Sequence, residues 1–113
     1  MTMVSVRRVA EYEEQALDQA ISDHFEALHV AEDLTPDTRV LIKPNLLAAR
    51  APSQAVCTHP ALVAAIARWL KKQGVKQIVL ADSPGGTYNL AVLEKLYAVS
   101  GMKELEGLVT LNR

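Results

Sequence analysis

The sequence predicts an α/β fold: a mostly parallel sheet of about four strands with helices packed on it, an incomplete doubly wound domain. Three observations carry this expectation. Short apolar, β-branched runs alternate with helix-length amphipathic segments, the pattern of successive βαβ units. The connections between runs are long enough for right-handed crossovers. Two of the runs, Arg39-Val40-Leu41-Ile42-Lys43 and Gln77-Ile78-Val79-Leu80-Ala81, are continuously apolar at their centres, as in strands buried on both faces.

A chain of 113 residues suits one domain with a modest core. Its 50% apolar and 22% charged residues are the balance of a soluble globular protein. The formal net charge of -1 leaves no electrostatic footprint for nucleic acid or for an anionic membrane surface. Aromatic residues, at 4%, are too scarce to stack successive bases. No stretch approaches ~18 consecutive apolar residues, and the start lacks a signal-peptide core, so a cytoplasmic location is expected. The single cysteine, Cys57, excludes an internal disulfide. It also excludes a thiolate-held cluster or structural zinc built from this chain alone.

Taken in order, Met3 to Val9 reads as a first strand through Val4, Val6 and Val9. A helix is expected from about Glu11 to Val30, with Leu17, Ile21, His24, Phe25 and Leu28 on one face. Thr35-Pro36-Asp37 is a turn. The run from Arg39 to Lys43 is closed by Pro44, which cannot extend a ladder. Asn45 to Cys57 shows no periodicity and is expected as a long loop. Thr58-His59-Pro60 starts the next helix, with Thr58 or His59 at the cap and Pro60 at the first helical position. Leu62, Val63, Ile66, Trp69 and Leu70 form its stripe, and Lys71-Lys72-Gln73-Gly74 ends it. After the strand from Gln77 to Ala81 comes the loop from Asp82 to Thr87. A helix from Asn89 to Ser100 stops near Gly101, and Leu108 to Leu111 begins a fourth strand. Ending on an uncovered strand, residues 1–113 are expected to be a single α/β domain, the N-terminal fragment of a longer protein.

In open parallel sheets, ligands bind outside the carboxyl ends of the strands. Lys43, Asn45, Thr58, His59, Asp82, Ser83, Gly85 and Gly86 all fall there, and they are the candidate ligand-binding residues. Lys43 ends an apolar strand, so it must reach water, a carboxylate such as Asp82, or a bound anion. Asn45 suits either a ligand contact or a loop brace. Thr58 and His59 stand at a helix N-terminus, where free N–H groups favour anions, and His59 equally suits a structural role. In Asp82-Ser83-Pro84-Gly85-Gly86 the glycines allow close backbone approach to a ligand, or simply make a tight turn. The segment matches neither phosphate-loop nor dinucleotide fingerprint.

Val40-Leu41-Ile42-Lys43-Pro44-Asn45, then Thr58-His59-Pro60, then Ala81-Asp82-Ser83-Pro84-Gly85-Gly86 together resemble the domain-of-unknown-function-362 family. Tyr97 and Ser100-Gly101-Met102 also resemble its pattern. That resemblance implies a longer protein, commonly with a ferredoxin-like module that binds a 4Fe-4S cluster. Here the one cysteine departs from the pattern, so the chain alone holds no such cluster. Two readings stand side by side. One is a small-ligand or anion-binding part of a redox-linked, iron–sulfur-associated protein. The other is a scaffold or binding module with no chemistry of its own. Neither calls for nucleic acid or a membrane as partner.

Overall fold

The computed structural model describes residues 2–86 and 88–113. Thr87, which the sequence places in the loop after the third run, lies outside the described residues. Three strands form a parallel sheet in the order β1 (Arg39–Ile42), β2 (Gln77–Leu80), β3 (Thr110–Leu111). Arg39 is in register with Gln77, and Val79 with Thr110.

The helices form where the sequence supplies caps. In α1 (Glu14–Ala27), the Glu13 carboxylate accepts hydrogen bonds from the amides of Gln15 and Ala16 at 2.9 and 2.8 Å. The helix ends three residues earlier than expected. His29 takes a left-handed conformation (φ 55°) and a 3-10 turn, Val30–Asp33, follows. In α2 (Pro60–Lys72), proline occupies the first turn and Lys71 and Lys72 the last, as the helix dipole favours. In α3 (Leu90–Ser100), Asn89 Oδ1 accepts from the Val92 amide at 2.9 Å, and Gly101 ends the helix at φ 84°. A Cβ on Gly101 would lie 3.0 Å from Cγ of Pro60 and 3.4 Å from Cγ of Pro52.

The α1 helix buries Leu17, Ala20 and Ile21 beside α2. Phe25 meets Trp69 edge-on with centroids 4.8 Å apart. Arg68 of α2 ties the pair together through Asp18 at 2.7 Å and Glu14 at 3.3 Å. Inward-facing Ile78, Leu80 and Leu111 join Val63, Ala67, Leu70, Leu96 and Tyr97 in one continuous core.

Two expectations are corrected. Met3 to Val9 is not a strand; it runs as a mostly exposed segment along α1, with Val9 packed against the core, held by Ser5–His24 (2.7 Å) and Arg7–Asp23 (3.4 Å). Its valines have the β-branched pattern, but a strand exists only with a neighbour to complete its hydrogen bonds. Hence the sheet has three strands among the described residues, where about four were expected. The second correction concerns burial. The run from Arg39 to Lys43 is not buried on both faces: exposure alternates along β1, and Leu41 is 63% exposed. The core lies against one face of the sheet, so only Val40 and Ile42 turn towards it.

Candidate functional site

The carboxyl end of β1 is shaped by Ile42, Pro44 and Leu46. Pairing with β2 continues one step past the strand, as the Ala81 amide donates to Ile42 O at 3.1 Å. Pro44, buried and without an N–H, ends the ladder. Leu46 is then fully buried and anchors the start of the loop.

Asp82, directly beyond β2, joins the two strand ends. Its Oδ2 accepts from the Leu46 amide at 2.8 Å, and its Oδ1 lies 2.8 Å from Lys43 Nζ. The Lys43 contact has the distance of a hydrogen bond but not the alignment, so Oδ1 is held by charge and has no directed donor among the described residues. The two partners differ in exposure: the Asp82 side chain is 6% exposed and that of Lys43 68%. Burial pushes the Asp82 carboxyl up. The Lys43 ammonium and the amides of Leu46 and Ser83 more than offset this and hold it below its ordinary value of 3.8.

The long loop expected from Asn45 to Cys57 is braced from within. Thr58 Oγ1 accepts from the Asn45 amide at 2.8 Å, and the Thr58 amide donates to Asn45 O at 2.9 Å. Asn45 Nδ2 donates to Val56 O at 3.3 Å. A short 3-10 turn, Pro52–Gln54, lies inside the loop, with Gln54 Oε1 accepting from the Ala51 amide at 3.0 Å. Cys57 Sγ donates to Ala48 O at 3.2 Å. The Asn45 amide and the Thr58 hydroxyl oxygen are thus engaged with each other.

Of the two capping candidates, His59 is the cap. Its Nδ1 accepts from the Ala61 amide at 3.0 Å, which leaves the neutral ring's proton on Nε2. The ring also stacks on Tyr12, with centroids 3.8 Å apart and planes 10° from parallel. Sequence reasoning missed Tyr12, because nothing in its own segment signals a partner so distant along the chain.

Beyond Asp82, Ser83 is exposed, Pro84 is buried, and Gly85 and Gly86 are exposed. Gly86 takes φ 87°, and the space beside each glycine's Cα is open. Pro84 and Gly85 face the Leu47–Ala49 stretch and α3 across a cleft of about 300 Å³, to which Lys95 contributes its side chain. Lys95 is a second residue that sequence reasoning passed over. A larger cleft of about 460 Å³ lies elsewhere, between the N-terminal segment and α1. We place the candidate site at the strand ends because the charged and backbone donors converge there, whereas the larger cleft is roofed by a segment outside the sheet.

The structure therefore pairs Lys43 with Asp82 and Asn45 with Thr58, two sets of contacts that meet where Asn45 precedes Leu46 in the chain. Ser83, Gly85 and Gly86 follow on the adjoining loop, and His59 turns instead towards Tyr12. Among the described residues, no group of three or more His, Cys, Asp or Glu side chains could hold a metal ion. A four-iron cluster needs several thiolates, and Cys57 alone, bonded to a carbonyl, does not fit that requirement.

Residues 40–108 match the family described as Domain of unknown function (DUF362). A thylakoid-associated protein of Synechocystis sp. is 35% identical over 82 residues, covering 72% of this chain and 25% of that relative. The matched stretch thus spans about a quarter of the relative's length. No solved structure matches. None of the helices among the described residues is long and apolar enough to cross a membrane. The family match takes in β1 from Val40 on, β2, both strand-end loops and all of α2 and α3. This chain belongs to the DUF362 family.

Proposed function

We propose that the strand-end surface binds a small anionic ligand, within a protein whose activity is redox-linked and iron–sulfur-associated. The observation that carries the anion reading is the unequal burial of the Lys43–Asp82 pair. A buried carboxylate fixes the base of the interaction, while an ammonium with three donors stays largely in solvent. The Lys43 side chain is 68% exposed, and on the loop that follows Asp82 the flanks of Gly85 and Gly86 are open. The iron–sulfur part rests on the family resemblance alone. Any cluster would be held by residues outside this chain, in a ferredoxin-like module.

The test is an amide NMR titration with inorganic phosphate. Saturable shifts at Ser83, Gly85 and Gly86 are expected, lost in Lys43→Met. Equal shifts in both proteins would overturn the assignment. For the redox reading, the longest polypeptide containing this chain is purified anaerobically and assayed for iron and visible absorbance; a colourless, iron-free protein argues against it.

A second reading, a scaffold without chemistry, is favoured by one observation: Asn45, Thr58 and His59 all bond to backbone groups. Under it, substitutions at these three lower the melting temperature, and no variant changes the phosphate titration.

A further inference from the structure

We propose that the anion bound at the strand ends carries an apolar group, and that the 300 Å³ cleft beside Gly85 receives it. The ligand class is an amphipathic acid: a phosphate monoester or carboxylate with an aliphatic or aryl portion. This rests on the anion reading above and extends it.

The cleft has the size of the smaller ligand pockets in proteins. Its walls are mostly hydrocarbon, from Leu47, Ala48, Pro84, Val92 and Leu96. Leu47 is 61% exposed there, so large apolar side chains stand against water at its rim. Each would gain from a hydrocarbon group seated between them. Among the described residues, one charged residue lines the cleft, Lys95, and no carboxylate does. Lys95 forms no ion pair among the described residues. The neighbouring carboxylate, Glu94, is engaged by Lys103 and Arg113 and does not neutralise it. The lining is therefore apolar with a single uncompensated positive charge, which an anion with a hydrocarbon tail complements and a cation or a fully polar ion does not.

The walls are fixed unequally. Ala48 is held through its carbonyl by Cys57, and Leu96 is part of the core. Gly85 lies on the loop with open space at both glycines. Ligands of different girth can be accommodated on that side without disturbing the core.

Calorimetric titrations with inorganic phosphate, octyl phosphate below its micellar concentration, and octanol test the proposal. Octyl phosphate should bind at least about tenfold more tightly than phosphate, on the order of fourfold for each methylene that is buried. Lys95→Met should weaken octyl phosphate about tenfold. Ala48→Leu should remove the advantage of the alkyl chain while leaving phosphate binding intact. Val92→Asn, at an exposed position, should do the same by replacing hydrocarbon wall with a hydrated amide, and serves if the leucine variant misfolds. Phosphate binding without any gain from the octyl chain would overturn this inference and leave the anion reading standing. Absence of binding by either anion would overturn both. Sedimentation with phosphatidylglycerol vesicles that ignores Ala48→Leu and Val92→Asn would assign the apolar rim to a lipid surface and overturn a free small-molecule ligand.

Discussion

Two loops leave the same edge of the sheet and are built in opposite ways. The loop from Lys43 to His59 is long, yet Thr58, Val56, Gln54 and Cys57 tie it to itself, and Leu46 plugs it into the core. The loop from Asp82 to Asn89 is short and rich in glycine. Among its described residues it is fixed mainly at its ends, by Asp82 and by the Asn89 cap. Length alone thus says little about order; a loop is rigid when its backbone polar groups have partners. The braced loop can position charge, and the glycine loop can adapt to what binds.

The contrast should break most visibly at Leu46. Leu46→Ala deletes a fully buried side chain and should cost about 2–5 kcal/mol, read as a fall in thermal or denaturant midpoint. Asp82→Ala comes next. It strands the Leu46 amide and should cost about 1–3 kcal/mol, with Lys43 freed to move. The same carboxyl sets a pH limit. Because its folded-state pKa is depressed, the stability it contributes is fully present above 3.8 and is lost as pH falls through the lower, folded value. Acid titrations of wild type and Asp82→Asn should therefore converge below that range. If they remain parallel, the Lys43–Asp82 pair does not contribute.

Smaller effects sharpen the comparison. Thr58→Val should cost about 1 kcal/mol and speed hydrogen exchange at the Asn45 amide, while exchange at Gly85 is unchanged. On the other loop, Gly86→Ala should cost about 1 kcal/mol through its left-handed backbone alone, since nothing lies near the added methyl. Gly85→Ala, outside that conformation and equally uncrowded, should leave stability unchanged within about 0.5 kcal/mol. If the two alanine variants behave alike, backbone conformation is not what distinguishes the glycines.

Much of this architecture was legible because it is local. Helix starts at Pro60 and Leu90 follow caps, whereas α1 begins three residues later than expected, behind an unread Glu13 cap; β1 and β2 are short apolar runs bounded by turn residues. The pairing of Lys43 with Asp82 followed from the rule that parallel strand ends gather together. What could not be read depends on partners far along the chain. Val4 and Val6 have strand chemistry but no neighbouring strand, and Leu41 has core chemistry but lies on the uncovered face. The Tyr12–His59 stack and the Arg68 bridge to Asp18 join segments whose sequences carry no sign of each other. Cys57 likewise donates to the carbonyl of Ala48, nine residues before it, a contact that its own position does not announce.

Gly101 has one further consequence. It ends α3 where that helix meets the prolines at the start of α2 and within the braced loop, and a side chain there would have to displace a ring. The far end of α3 is thus positioned by exclusion, as a stop positions a sliding part. Val92, Lys95 and Leu96 sit on the same rigid rod. The gauge of the cleft is in this way set at a point remote from it, by an atom that is absent.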